Sequence, residues 1–244
     1  MAPFVEDYGM KKRKLLLCMT AALLALSVSA GAYDVAITNA GFEDPVLTDG
    51  NYNYEVPGWD FYGPGASAGC WNPDADGAIF YGYGGIAPEG ENVAWISAGY
   101  VDNTPDNPDD DDFTSVEAGI TQVLTETLAA GMTYTLTVEV GNSYYYDWGE
   151  GYKIQLLAGG SLLAQDDNTQ TPASDTFATS TVTYVYDSAQ SGLLGEPLEI
   201  RLLAKPGNDE LDVDDVRLDA VPEPATMGLL GMGALALIRR RKRK

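Results

Sequence analysis

The sequence predicts an all-β protein: an antiparallel two-sheet β-sandwich, or jelly roll, flanked by an N-terminal signal helix and a C-terminal hydrophobic helix. Three observations support this fold class. Between the terminal segments, apolar and polar residues alternate with period two, and no stretch has the period of a useful helix. Gly, Pro, Asn and Asp recur between the alternating runs, as turns require. About ten such runs in one domain of about 190 residues favour a sandwich.

The strands of the second half are the most regular. In residues 132–142, MTYTLTVEVGN, apolar side chains fall on one face and threonines fall on the other. Residues 152–165 predict a hairpin with Gly159-Gly160 at its turn. Further strands are predicted at 33–38, 54–62, 77–83, 92–99, 116–124, 180–187, 197–205 and 211–221.

The N-terminus predicts a secretory signal peptide. Met10 is followed by a basic cluster, an apolar segment at 15–28 and Ala30-Gly31-Ala32, which supply the charged, apolar and cleavage regions of such a peptide. Because two acidic residues precede the basic cluster, we expect translation to start at Met10. Residues 1–32 are therefore a leader that ends at Ala32, and residues 33–221 form the mature domain.

The C-terminus combines three features: Val221-Pro222-Glu223-Pro224, an apolar run at 225–238, and basic residues from Arg239 to Lys244. As a helix the apolar run would be about 21 Å long, shorter than the ~30 Å of a bilayer core. The basic side chains can extend such a span by reaching the interface. An amphipathic helix docked on the domain is the alternative, but 227–238 has no polar face. The pattern therefore predicts a short transmembrane helix with a basic tail.

These three features, in this order, resemble the PEP-CTERM sorting signal of envelope and exopolysaccharide-associated proteins of Gram-negative-type bacteria. The resemblance implies that 222–244 is a separate region in which Pro222, Glu223 and Pro224 are recognised by an exosortase-type sorting enzyme. It also implies an exported protein of the cell envelope, outer surface or extracellular matrix. The C-terminal helix would hold the protein transiently in the inner membrane.

The mature domain is strongly acidic. The whole chain has a net charge of −22, and most of its basic residues lie in the two terminal segments. Such a domain repels nucleic acid, so nucleic-acid binding is excluded, and it attracts divalent cations. Histidine is absent, which excludes serine and cysteine triads and nearly all zinc sites.

The domain carries a second resemblance. Asn39–Glu43, Val56–Trp59, the segment 121–141 and Val213–Leu218 occur in the order found in galactose-binding-like jelly rolls, the fold of many non-catalytic carbohydrate-binding modules. Many PEP-CTERM proteins carry such a domain. The resemblance covers most of the domain and implies a sandwich that binds carbohydrate.

The same resemblance implies a structural Ca²⁺ where the first and last strands meet. The ligands would be Glu43, Asp214 or Asp215, and backbone carbonyls near Asn39, since calcium prefers six to eight oxygen ligands. In the alternative, Asp215 bonds to turn amides and Glu43 is solvated. The acidic run Asp109–Asp112 lacks the spacing of a calcium loop and is better interpreted as a solvated loop.

An aromatic segment supplies the candidate ligand site. Tyr144, Tyr145, Tyr146, Asp147 and Trp148 follow a strand, and aromatic planes with nearby carboxylates suit the apolar face and hydroxyls of a sugar. Other aromatic residues are spread through the first half: Tyr52, Tyr54, Trp59, Tyr62, Trp71, Tyr81, Tyr83 and Trp95. The alternative is that these rings fill the core, as expected for Trp59 and Trp95, or cover the sandwich ends.

The sequence therefore predicts an exported, envelope-sorted and non-catalytic protein that binds or organises extracellular polysaccharide. A structural surface or matrix protein without a specific glycan ligand is the alternative, and a glycoside-acting enzyme is the third possibility. No catalytic residue is predicted, because no pair of carboxylates stands out from so acidic a surface.

Overall fold

The computed structural model describes residues 32–73, 86–103 and 112–223, and the regular secondary structure of this part of the chain is almost entirely β. The strands are β1 Tyr33–Asp34, β2 Tyr52–Asn53, β3 Asp60–Tyr62, β4 Ser67–Trp71, β5 Val93–Ser97, β6 Gly99–Asp102, β7 Phe113–Val116, β8 Ala118–Thr127, β9 Met132–Asn142, β10 Tyr152–Ala158, β11 Ser161–Asp167, β12 Thr176–Val185, β13 Pro197–Ala204 and β14 Leu211–Pro222. A short 3-10 helix, Ser188–Leu193, joins β12 to β13.

The strands form two large sheets and a small ribbon. The seven-stranded sheet has the order β12-β9-β14-β5-β4-β2, with β1 also paired to β14. The five-stranded sheet has the order β11-β10-β13-β8-β3, and β6 pairs with β7. Strand pairs such as β9 with β12 and β8 with β13 run antiparallel. The predicted antiparallel two-sheet sandwich is confirmed.

The alternation of β9 shows how the sequence builds the core. Along 132–142 the apolar residues are buried and the threonines between them are partly exposed. Leu136 and Val138 of this strand share one hydrophobic core with Ile154 and Ile200 of the other sheet. Each fully buried aliphatic side chain of this kind contributes about 1.5–3 kcal/mol of transfer free energy. The core between the sheets is therefore the main source of stability.

The first half departs from the predicted strands. Of the predicted strand 54–62 only Asp60–Tyr62 forms a strand, β3, because Pro57 has no amide hydrogen and Gly58 adopts a φ of 89°. Strand β4 was not predicted, since its sequence SAGCW contains small residues that obscure the alternation. The predicted strand 77–83 lies outside the described residues.

The two predicted flanking helices also lie outside the described residues. They fall on 15–28 and 225–238. Within the described ranges, no helix is long and apolar enough to cross a membrane.

Candidate active site

A cavity of about 200 Å³ opens on the outer face of the seven-stranded sheet. On β5, Ala94 and Ile96 enter the core between the sheets. Trp95, between them, points to the opposite face and packs against a separate small cluster formed by Trp71 and Val93. The cavity lies on this second face and is lined by Tyr52, Tyr54, Trp71, Trp95, Ser97, Tyr146, Asp209 and Glu210.

Strand register brings the aromatic lining together. Tyr52 of β2 pairs with Trp71 of β4, and Gly69 of β4 pairs with Trp95 of β5. Directly paired residues share a face of the sheet, so the rings gather on one side. At Gly69 a Cβ atom would lie 1.9 Å from the carbonyl oxygen of Asn53 and 2.6 Å from Trp95 Nε1. Glycine at this position allows the Trp95 indole to lie across the strand.

Edge-to-face contacts hold the rings at the cavity mouth. Tyr54 and Trp95 have centroids 5.5 Å apart at an interplanar angle of 87°, and Tyr52 and Tyr54 are 5.4 Å apart at 82°. This is the preferred geometry of aromatic pairs. Trp71 is buried, whereas Tyr52, Tyr54 and Tyr146 are about half exposed. The cavity thus has a buried aromatic floor and a solvent-facing aromatic rim.

Acidic residues at the start of the last strand lie at one side of the cavity. Asp212 of β14 pairs with Trp95 of β5, and its Oδ1 accepts a hydrogen bond of 3.0 Å from Trp71 Nε1. Glu210 lies two residues earlier, just before the strand begins. Burial, and then the negative charge of Asp212, raise the pKa of Glu210 to about 9, while a hydrogen bond with Ser143 opposes the shift. Glu210 is therefore a neutral carboxylic acid at pH 7.

Asp209 occupies the solvent side of the same corner. Its Oδ1 accepts a 3.3 Å hydrogen bond from the Tyr100 hydroxyl, and its carbonyl accepts one of 2.6 Å from Ser97 Oγ. Burial and the charges of nearby acids, Glu210 first among them, raise the pKa of Tyr146. The tyrosine hydroxyl therefore stays protonated at neutral pH.

This arrangement combines two chemical capabilities. A carboxylic acid that stays protonated at pH 7 can donate a proton, as buried acids do in general acid catalysis. Aromatic ring faces stabilise positive charge that develops near them. A cavity with both features is suited to reactions that begin with protonation of an apolar substrate.

Of the five predicted ligand residues, Tyr146 lines this cavity. Tyr144 and Tyr145 form an exposed edge-to-face pair with centroids 5.1 Å apart. Trp148 packs against the core and lies 5.9 Å from the ring of Tyr152. Asp147 is exposed, and its carbonyl accepts a 3.0 Å hydrogen bond from the amide of Asp209. The segment thus contributes one ring and a backbone support to the cavity.

The predicted calcium ligands lie near the junction of the first loop with β14. Glu43 Oε1 accepts hydrogen bonds from the amides of Glu91 and Asn92, at 2.9 and 2.8 Å. The Asn39 side chain donates to the carbonyls of Asp44 and Pro57.

Asp214 is fully buried, and its two carboxylate oxygens accept hydrogen bonds from the amides of Glu89 and Asp215, at 2.7 and 2.6 Å. Asp215 itself accepts a 2.7 Å bond from Arg217 Nε. Among the residues that the structure describes, no three metal-binding side chains converge on one point.

The predicted processing residues lie at the ends of the described chain. Ala32 is exposed and precedes β1, Pro222 is the last residue of β14, and Glu223 is exposed. Pro224 lies outside the described residues.

Sequence reasoning did not single out the acids of this cavity. Glu210 and Asp212 are separated by two positions, as are Tyr52 and Tyr54, and this is the spacing of side chains on one side of an extended chain. This spacing of two acidic and two aromatic residues is the signal in the sequence that could have indicated the site. The sequence could not show that β2 and β14 belong to the same sheet with two strands between them.

Two family models match the chain. The HpiC1-like model, described as HpiC1 cyclase, matches residues 33–219, and the PEP-CTERM protein-sorting motif matches residues 220–244. The second match indicates an exported, envelope-sorted protein that an exosortase-type sorting enzyme recognises. No curated protein matches.

Solved structures of cyclases match most of the chain. The Stig cyclase Fisc from Fischerella sp. TAU, in complex with (3Z)-3-(1-methyl-2-pyrrolidinylidene)-3H-indole, is 32% identical with a TM-score of 0.66, covering 79% of this chain and 100% of that chain. An apo form cyclase from Fischerella sp. is 33% identical with a TM-score of 0.66, covering 80% and 99%. A cyclase from Fischerella sp. TAU in complex with 4-(1H-indol-3-yl)butan-2-one is 32% identical with a TM-score of 0.65, covering 78% and 98%.

These matches correct the predicted function. The prediction of a non-catalytic protein that binds or organises polysaccharide is wrong, because the matching family model and structures are those of enzymes. The sequence has no histidine and no carboxylate pair that stands out from its acidic surface, but a single buried carboxylic acid can also perform acid catalysis. The structure supports one part of the predicted resemblance to carbohydrate-binding modules, which is the antiparallel sandwich fold.

Proposed function

The chain belongs to the HpiC1-like cyclase family, and on this premise we propose that it is an exported cyclase that closes a ring in a small, largely apolar substrate. The reaction would take place in the cavity between Trp71, Trp95 and Glu210. One observation carries the proposal: Glu210 lines an aromatic cavity, where burial and the charge of Asp212 raise its pKa to about 9.

In the proposed reaction the Glu210 carboxyl group donates its proton to an unsaturated carbon of the substrate. The π electrons form the new C–H bond and leave a carbocation on the neighbouring carbon. A second π system of the substrate then attacks this carbon, and the new C–C bond closes the ring. Loss of a proton from the attacking ring to the Glu210 carboxylate restores both the π system and the acid. The overall change is an isomerisation that needs no co-reactant.

The substrate class follows from the cavity and from the relatives. The cyclases from Fischerella sp. TAU are described with indole compounds bound, and we extend this ring system to the present chain. A volume of about 200 Å³ suits a small substrate, since typical ligand pockets begin at about 300 Å³. Trp71 and Trp95 supply indole-sized surfaces for stacking. We therefore propose an indole that carries a short unsaturated side chain.

Delivery to the envelope is part of the same proposal. Residues 225–238 are apolar and precede a basic tail, which supports a transient anchor in the inner membrane before sorting. The enzyme would then act outside the cytoplasm.

The test is an assay of the full chain on 3-alkenylindoles in D₂O buffer. We expect an isomeric product that contains one deuterium, detected by liquid chromatography with mass spectrometry. Tyr146→Ala removes a ring from the cavity and should lower kcat/KM about 10-fold. Tyr144→Ala is the matched control, because this ring lies two residues away and does not line the cavity, and its activity should stay within about twofold of the wild type. Equal losses in the two variants would contradict the placement of the site.

We also propose that the domain binds a structural Ca²⁺ near Asp214, as the sequence resemblance implies. Asp214 is fully buried, and the nearby basic side chain, Arg217, pairs with Asp215 instead. A Cβ atom at Gly90 would lie 2.3 Å from Glu43 Oε1, and one at Gly41 would lie 1.9 Å from Glu89 Oε2. The two glycines therefore leave room for carboxylates on this side of the domain, which supports a cation that needs several oxygen ligands.

Calcium should raise the melting temperature. At a concentration about 100 times Kd, binding contributes about 2.7 kcal/mol, which corresponds to roughly 5 °C or more for a domain of this size. The measurement compares thermal unfolding of the full chain in EDTA with unfolding in excess CaCl₂. Asp214→Asn should remove the difference, whereas Asp187→Asn, an exposed residue before the 3-10 helix, should keep it. An unchanged melting temperature would reject the ion.

A further inference from the structure

The cavity is negatively charged. Of the described residues that line it, none is basic. The basic side chains of the described ranges form ion pairs with other acids: Lys153 with Glu117, Arg201 with Glu199, Lys205 with Asp167, and Arg217 with Asp215. The positive charge that would balance this corner is therefore absent from the described part of the protein.

Asp209 is placed to meet a charged ligand. It is exposed at the cavity wall, and its side-chain hydrogen bond among the described residues is a long one, 3.3 Å, from the neutral Tyr100 hydroxyl. The Asp147 carbonyl holds its backbone amide at 3.0 Å, and Ser97 Oγ holds its carbonyl at 2.6 Å. Hydrogen bonds therefore hold the backbone of Asp209 in place, while its carboxylate oxygens remain accessible to solvent.

Aromatic rings surround the same volume. Tyr54 and Trp95 pack edge to face, and Tyr52, Trp71 and Tyr146 complete the lining. The face of an aromatic ring carries partial negative charge, so rings around a cavity attract cations, and quaternary ammonium groups are bound by cages of this kind. An acidic cluster alone would only attract counterions. The aromatic lining adds a preference for organic cations over hydrated metal ions.

We propose that this cavity recognises an organic cation, an alkylammonium group that sits among the aromatic rings and pairs with the Asp209 carboxylate. The inference deepens the proposed function, because it states that the substrate carries a positively charged nitrogen in addition to its unsaturated ring system. An acidic domain outside the cytoplasm also attracts such a molecule over a distance.

Cation binding has a consequence for Glu210. A positive charge in the cavity favours the ionised carboxylate, so the bound substrate makes Glu210 a stronger acid at the moment when its proton is needed. The titratable groups around Glu210 among the described residues are Asp209 before it, Asp212 on β14, Tyr146, and Tyr52 and Tyr54 at the other side of the cavity. Affinity for a permanent cation should therefore increase as the pH rises towards about 9, the pKa of Glu210.

Isothermal titration of the full chain with choline and with 3,3-dimethylbutan-1-ol tests the proposal. The two probes have the same shape, and a quaternary carbon replaces the charged nitrogen in the second. We expect choline to bind at least about 10-fold more tightly. Asp209→Asn and Trp95→Ala should each lower choline affinity at least about fivefold. Asp60→Asn, an exposed carboxylate on β3 of the other sheet, removes the same charge and should not change the affinity.

The outcomes separate this inference from the proposed function. Equal affinities for the two probes, no binding of choline, or a choline affinity that is unchanged in both Asp209→Asn and Trp95→Ala would each overturn the recognition of a cation. None of these results would affect the cyclase assay on neutral alkenylindoles. Failure of that assay with Glu210 intact would overturn the proposed function instead, whichever probe the cavity prefers.

Discussion

Replacing Glu210 by Gln is expected to lower kcat/KM for ring closure at least about 100-fold while the protein remains folded. Gln has the size of the neutral acid and can still accept the hydrogen bond from Ser143, but it cannot donate a proton to carbon. A 100-fold loss corresponds to about 2.7 kcal/mol of transition-state stabilisation. The measurement is the initial rate of isomer formation by the wild type and the variant at pH 7.

The same substitution should make the protein more stable. Burial and the charge of Asp212 raise the pKa of Glu210 from its ordinary value of 4.5 to about 9. The folded state therefore holds a proton that the unfolded chain releases, so the stability that Glu210 provides is complete below pH 4.5 and is lost as the pH rises towards 9. At pH 7 this loss amounts to up to about 3 kcal/mol, which Gln avoids. We expect denaturant unfolding to show a gain for Glu210→Gln at pH 7 and almost none at pH 4.

The pH dependence of the reaction supplies an independent check. A general acid must be protonated, so activity should persist up to about pH 9 and fall above it. Glu210→Asp should retain part of the activity, because a shorter acid can still donate from a different position. Glu196→Gln, an exposed residue in the turn before β13, should leave both rate and stability unchanged. Full activity of Glu210→Gln would contradict the role of Glu210 as the proton donor.

The regular part of the fold could be predicted from the sequence, because its signal is local. Alternation in 132–142 predicts the buried and exposed faces of β9, and the glycine pair Gly159-Gly160 predicts the β10–β11 hairpin. That only 60–62 of the predicted strand 54–62 is extended depends on Gly58, which has a φ of 89° and where a Cβ atom would lie 2.7 Å from the Thr38 side chain. Tertiary contacts of this kind leave no trace in a local pattern.

The candidate site was harder to predict, because it depends on strand order. Tyr52 and Glu210 are far apart in the chain. They line one cavity because β14, β5, β4 and β2 lie side by side in the same sheet. The unusual chemistry of Glu210 also arises from its surroundings, since a glutamate in an acidic sequence gives no sign of being neutral. In contrast, the aromatic segment around Tyr146 was conspicuous in the sequence, and one of its rings lines the cavity.

A second large effect is expected at a buried carboxylate that links the two sheets. Asp166 of β11 is almost fully buried, and its Oδ2 accepts hydrogen bonds from the hydroxyls of Tyr152 at 2.7 Å and Ser180 at 2.6 Å. Its Oδ1 accepts a 3.0 Å bond from the amide of Thr169. Tyr152 belongs to β10 of the five-stranded sheet and Ser180 to β12 of the seven-stranded sheet. One carboxylate therefore joins the edges of both sheets.

Hydrogen bonding, and not a positive charge, makes this carboxylate stable as an anion. Burial alone would raise the pKa of Asp166, but the hydrogen bonds from Ser180, Tyr152 and Thr169 outweigh it and lower the pKa below its ordinary value of 3.8. The stability that the carboxylate provides is therefore present above pH 3.8 and is lost as the pH falls through the lowered pKa.

Asp166→Asn should lower the free energy of unfolding by about 3 kcal/mol at pH 7. Three groups donate hydrogen bonds to the carboxylate, and the NH₂ group of asparagine is itself a donor, so one of the three loses its acceptor. Urea unfolding measures this loss. Asp167→Asn is the matched control on the neighbouring residue, whose half-exposed side chain pairs with Lys205, and it should cost less than about 1 kcal/mol. A double-mutant cycle with Tyr152→Phe should give a coupling above about 1 kcal/mol. If Asp166→Asn and Asp167→Asn lose equal stability, the carboxylate does not join the sheets, and the hydrophobic core alone holds them together.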